Sequence, residues 1–143
     1  MRILALDVGD VRIGVAVSDE LELGAYPLLT VTRKGSLAKD SALVANVIAE
    51  QDPDIVLVGL PTSIDGGEGR QAQKTRVFAD AVRKLTATPI AFWDESLTSV
   101  EAEEQLIELD YSREKRRAII DQWAAKILLE SYLAHRRAVG AGD

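Results

Sequence analysis

Ile3-Leu4-Ala5-Leu6-Asp7-Val8-Gly9-Asp10-Val11-Arg12-Ile13-Gly14-Val15-Ala16-Val17-Ser18 is the stretch that decides the fold. Residues 2–8, built on the apolar run Ile3-Leu4-Ala5-Leu6, read as a buried strand. Gly9-Asp10 supplies a turn, and Arg12 to Ser18 reads as a returning strand with Gly14 inside it. Asp7 closes the first apolar run, where a carboxylate is awkward for folding. An isolated buried carboxylate is costly, so it is paired, hydrogen-bonded or bound to a cation.

Working outward, residues 25–32 give a third strand entered through Pro27. A polar loop at 33–38 precedes a helix over about 39–51, which Asp52-Pro53-Asp54 ends because proline disfavours helical geometry in the residue before it. Ile55-Val56-Leu57-Val58-Gly59-Leu60 is a continuous apolar strand, as a parallel position buried on both faces requires. A glycine-bearing loop, Pro61 to Gly69, leads into a helix at about 70–86, and Thr88-Pro89 introduces a fifth strand at 90–93. Thr98-Ser99-Val100-Glu101 fits a capping box opening a helix to about 108, and a last helix runs over about 113–137. The order predicts an α/β protein: one domain over 1–143, with a central five-stranded mixed sheet flanked by helices. In the last helix Ile120, Trp123, Ala124, Ile127, Leu128 and Ser131 define one face, with Asp121 at its edge.

Composition narrows the chemistry. Zero cysteines exclude disulfides, thiolate metal sites and a cysteine nucleophile, and the single histidine, His135, disfavours multi-histidine zinc sites. Oxygen-ligand metal chemistry survives. No apolar run approaches the roughly 18–20 residues that span a membrane, and the acid at Asp7 comes too early for a signal-peptide core. A cytoplasmic protein with no membrane partner is the expectation. The net charge of −6 argues mildly against non-specific nucleic-acid binding, although basic residues cluster locally, as at Arg70-Lys74-Arg76 and Arg113-Lys115-Arg116-Arg117. Such clusters also occur as ordinary solvated helix faces.

Three acidic places stand out: Asp7, the Asp94-Glu95 pair at the end of the fifth strand, and Asp121. Adjacent residues of an extended chain point to opposite sides, so one of Asp94 and Glu95 faces the site, and position alone leaves the choice open. If the three places converge, their shared occupant is a hard divalent cation, and metal-assisted phosphoryl chemistry follows. Gly59-Leu60-Pro61-Thr62 and the Asp65-to-Gly69 loop lie where open α/β sheets place their sites, with Arg70 and Lys74 flanking a helix start able to receive a phosphate.

Asp7-Val8-Gly9 with Arg12-Ile13-Gly14-Val15-Ala16-Val17-Ser18-Asp19, Val58-Gly59-Leu60-Pro61 with Asp65-Gly66, Asp94-Glu95-x-Leu97-Thr98, and Asp121-x-x-Ala124-Ala125-x-Ile127-Leu128 together resemble the YqgF/RuvX family of bacterial RNase H-like nucleases. The resemblance covers nearly the whole chain. It implies an RNase H-like fold with Asp7 on the central strand, and it assigns the catalytic and metal-binding acids to Asp7, Glu95 and Asp121. It further implies a phosphodiester hydrolase acting either on the 16S rRNA precursor or on branched DNA as a Holliday junction resolvase. Pre-ribosomal particles are a possible partner, and the state is a monomer or homodimer. The expected cofactors are two Mg²⁺ or Mn²⁺ ions roughly 3.5–4 Å apart, bridged by Asp7. Arg12, Arg70 and Lys74 are the candidate phosphate contacts. The family commonly has Asp-Glu-Arg where this chain has Asp94-Glu95-Ser96, so one basic side chain is missing here.

Two other classes compete. The Asp7-x-Gly9 turn also resembles the phosphate loop of sugar kinases, actin and the Hsp70 ATPase, but those folds enclose nucleotide between two such domains and this chain holds one. A non-catalytic nucleic-acid-binding module is the second rival, and retention of all three acids weighs against it.

Overall fold

The computed structural model describes residues 1–61, 69–94, 104–109 and 111–141. Five strands, β1 (Ile3–Val8), β2 (Arg12–Ser18), β3 (Ala25–Thr32), β4 (Ile55–Leu60) and β5 (Ile90–Asp94), form one sheet in the order β3-β2-β1-β4-β5. The first three pair antiparallel, while β1–β4 and β4–β5 pair parallel. Helices α1 (Leu37–Gln51), α2 (Arg70–Arg83), a segment at 104–108 here called α3, and α4 (Arg113–Ala141) flank the sheet. The expected mixed sheet is present, with Asp7 on its central strand.

Alternation along each strand sorts the two faces. Leu4, Leu6, Val8, Ile13, Val15, Val56 and Val58 pack with Val44 and Ile48 of α1 and Phe78, Ala79 and Val82 of α2. Ile3, Ala5, Ala16 and Leu57 pack with Ala125, Leu128, Leu129 and Leu133 of α4. Each fully buried side chain of this size contributes about 1.5–3 kcal/mol, so both layers are needed to hold the sheet. The single long helix α4 therefore covers the face that α1 and α2 leave.

Several boundaries differ from expectation for local reasons. α1 starts at Leu37 because the Ser36 hydroxyl caps it, accepting from the Lys39 N–H at 3.3 Å. α2 ends at Arg83, and Lys84-Leu85 form a turn closed by Leu85 N–H donating to the Val82 carbonyl. Pro27 lies inside β3 and is tolerated because β3 is an edge strand and its register with β2 shifts between Val15 and Ala16. The proposed capping box at 98–101 lies outside the described residues.

The β1–β2 turn and the start of α1 are tied by one buried pair. Arg33 donates through Nε to Asp40 at 2.9 Å and through a terminal nitrogen to the Gly9 carbonyl at 2.9 Å, with its guanidinium 5.0 Å from the Phe78 ring centre. Asp40 also accepts from the Lys34 N–H at 2.6 Å, and its side chain is 1% exposed. Burial pushes the Asp40 carboxyl up, but the Lys34 N–H and the Arg33 guanidinium outweigh it and hold the group below its usual range.

Candidate active site

Asp7 projects from the face covered by α4. It follows Ile3 and Ala5 in the strand alternation, and its antiparallel partner across the ladder is Gly14. Gly14 has no side chain for a physical reason: a Cβ there would lie 1.9 Å from the Asp121 carbonyl oxygen and 2.7 Å from the Gln122 nitrogen. The backbone of α4 thus rests directly on β2 at the position opposite Asp7. Asp7 and Asp121, 114 positions apart in the chain (121 − 7), thus sit on elements whose backbones meet at Gly14.

Asp7 is 9% exposed, low for a carboxylate. Asp121 is 21% exposed and pairs with Arg12, whose Nε donates to Asp121 Oδ2 at 2.7 Å. The turn beside them is equally tight. Gly9 N–H donates to the Arg12 carbonyl at 2.9 Å, and a Cβ at Gly9 would meet that oxygen at 2.7 Å. Both glycines of the opening stretch are therefore dictated by close backbone approach.

The position of Asp121 corrects the reading of the last helix. Two stripes are buried, not one. Ala125, Leu128, Leu129 and Leu133 meet the sheet, and Asp121 heads that stripe one turn before Ala125. Ala124 and Ile127, with Ile120 and Trp123, form a separate cluster, and the Trp123 indole N–H donates to Gln105 of α3 at 3.0 Å. Periodicity mixed the two stripes because a helix buried on two sides shows no single apolar face.

Asp94 ends β5 and alternates with Trp93, which puts it with Phe92 on the face of α1 and α2, opposite Asp7. Glu95 lies outside the described residues, as do Asp65 and the glycines at 66 and 67. Among the described residues no group of three acids or histidines is gathered as a metal site. Asp7 and Asp121 are two oxygen donors of the type a hard cation takes. The guanidinium held on Asp121 shows that this carboxylate already attracts positive charge.

Arg70 and Lys74 are brought together, but on the other side of the sheet from Asp7. They line a pocket of about 520 Å³ with Val8, Asp10, Arg33 and Phe78, at the carboxyl end of β1. Lys74 Nζ lies 3.6 Å from Asp10 Oδ1. The β1–β2 turn separates this pocket from the acids. Arg33 is a further cation of this pocket; nothing in its local sequence marks its bond to Gly9.

A sequence model of the RuvX family, described as Holliday junction resolvase, matches residues 1–135. A protein of Halothermothrix orenii named "Putative pre-16S rRNA nuclease" is 43% identical over 136 residues, covering 95% of this chain and 96% of that protein. One of the same name from Myxococcus xanthus is 44% identical over 137 residues, covering 95% and 90% respectively. Among solved structures, T. thermophilus RuvC in complex with a Holliday junction substrate superposes with a TM-score of 0.60 at 18% identity, over 95% of this chain and 96% of that one. That likeness is one of fold. No described helix is long and apolar enough to cross a membrane. With the family match and identities above 40% over almost the full length, the chain belongs to the RuvX family.

Proposed function

We propose that this protein is a metal-dependent nuclease that hydrolyses phosphodiester bonds and processes the 16S rRNA precursor. The observation that carries the reading is the seating of Asp121 on Gly14, directly across the ladder from Asp7.

Asp7, Glu95 and Asp121 would hold one or two Mg²⁺ or Mn²⁺ ions. When bound, the metal lowers the pKa of a water and stabilises the departing oxygen. The protein's own part is positioning. β1 and α4 fix the two described carboxylates on rigid elements, which sets where a phosphate can sit. Arg12 bonds Asp121 through Nε, which leaves the two terminal nitrogens of its fork to contact a phosphate oxygen. Arg70 and Lys74 would take the backbone farther along.

Junction resolution is the second reading, favoured by the description of the family model. Paired cuts in a junction are delivered most simply by a symmetric dimer. A matched assay separates the two: a labelled 16S precursor end, naked and in pre-ribosomal form, against a four-way DNA junction. Cleavage of the RNA supports maturation. Symmetric nicks in the junction without RNA cleavage would overturn it in favour of the resolvase, and metal-independent binding without any cleavage would favour a scaffold.

A further inference from the structure

The β5 edge carries an aromatic groove that the cleavage site does not use. Its lining includes Phe92, Trp93, Tyr132, His135 and Arg136, around a space of about 550 Å³. The Trp93 ring lies 5.3 Å from Tyr132 in an edge-to-face arrangement and 4.9 Å from the tilted ring of His135. The Trp93 indole N–H donates to Ser131 Oγ at 3.2 Å, which fixes the ring's orientation. A chain of only 5% aromatic residues has put three of them and its sole histidine on one edge.

Arg136 is the charged side chain among the described residues that line the groove, and its guanidinium is paired with the Glu22 carboxylate. No carboxylate is among the described residues that line it, although the chain as a whole carries −6. Arg136 stands 5.8 Å from the Tyr132 ring centre. Arg76 and Arg83 cover the Phe92 ring, at 4.8 and 5.4 Å from its centre, on the face of α1 and α2, where Arg83 is paired with Asp80. Aromatic rings gathered in this way offer unpaired bases a surface to stack on. A paired helix hides its base faces and cannot use such a surface.

The groove is also within reach of the acids. Gly59 pairs in register with Trp93, and the β1–β4 register extended one residue beyond Leu6–Val58 sets Asp7 level with Gly59. Trp93 and Asp7 stand on the same sheet face, their backbones two strand spacings or about 10 Å apart, and the Trp93 ring extends from there to Ser131, Tyr132 and His135 of α4. At 3.4 Å per stacked nucleotide that is about three nucleotides.

We propose that this groove is a stacking site for unpaired nucleotides flanking the phosphate cut at Asp7, with Trp93 and Tyr132 supplying the rings. The proposal rests on the nuclease reading for the direction of the strand, but its binding chemistry is tested without cleavage. In EDTA, single-stranded U10 and dT10 are titrated into the Trp123→Phe protein, where Trp93 is the remaining tryptophan, beside a blunt duplex of equal length. Quenching of Trp93 emission by either single strand and not by the duplex is the expected result. Tyr132→Ala should weaken single-strand binding by at least about 5-fold, the lower end of a lost stacking contact, and Tyr132→Phe should restore it.

Equal quenching by duplex, no quenching, or wild-type binding by Tyr132→Ala would overturn the stacking site. So would concentration-dependent self-association in sedimentation that covers Trp93 with a second copy. Cleavage by the wild-type protein is followed in parallel. Metal-dependent cleavage without Trp93 quenching would remove the stacking site alone. Quenching with cleavage that survives Asp7→Asn would remove the assigned centre alone.

Discussion

Gly14 and Asp121 are in backbone contact so close that any side chain on Gly14 would occupy the space of the Asp121 carbonyl. This contact sets the height of α4 above β2 and, with it, the position of the Asp121 carboxylate relative to Asp7. Gly14→Ala keeps every acid yet must push the helix away. Backbone cannot give as a flexible side chain can, so the expected cost is at least the 1–3 kcal/mol typical of overpacking. Urea denaturation measures that cost. Cleavage by the folded fraction should fall more than tenfold, and wild-type cleavage at reduced stability would show that α4 height is unimportant to the reaction.

Arg12 and Asp121 make a second prediction. The pair is partly exposed, so its loss should change stability by less than about 1 kcal/mol. Its effect lies in binding. Arg12→Ala removes a cation from a carboxylate assigned to the metal, so Mn²⁺ should bind the substrate-free protein as tightly as, or more tightly than, it binds wild type. Nucleic-acid affinity should fall, and the slope of log affinity against log salt should decrease by about one phosphate contact. Calorimetry with Mn²⁺ alone and a salt series with nucleic acid read the two effects separately. Weaker metal binding in Arg12→Ala would make the arginine a positioning group for Asp121 instead.

The buried Arg33–Asp40 pair gives a prediction in pH. The Asp40 carboxyl is held below its usual range in the folded protein. Its charged form therefore favours folding above the unfolded-state pKa, near 3.9, and that stability is lost as pH falls through the lower folded-state value. Asp40→Asn leaves the half-buried Arg33 without its counter-charge and should cost about 1.5–3 kcal/mol at neutral pH. Denaturation across pH 2–7 should show a shallower acid limb in the variant, and an identical limb would assign acid sensitivity to other groups.

Much of this architecture was legible because its signals are local. Alternation and the Gly9-Asp10 turn gave the β1–β2 hairpin, and the continuous apolar run of 55–60 gave the buried parallel strand between β1 and β5. Asp7 stood out because a carboxylate at a strand end contrasts with the apolar run before it. What could not be read is long-range. Arg12 and Asp121 are 109 residues apart, and no periodicity announces their bond. The sheet-facing stripe of α4 was misassigned because Trp123 and Ile127 are buried on a different side from Leu128 and Leu129. Gly14 was seen as a feature of a strand, while its reason, the backbone of α4, lies in another part of the sequence.

The most direct test of the account is Asp7→Asn measured against wild type, with labelled 16S precursor end and four-way junction, in Mg²⁺, Mn²⁺ and EDTA. Asparagine keeps the shape of the side chain and removes its charge, so circular dichroism and the denaturation midpoint should show a folded protein. The account predicts cleavage by wild type in metal, none in EDTA, and none by Asp7→Asn in any condition. Cleavage retained by folded Asp7→Asn, or by wild type in EDTA, would contradict it.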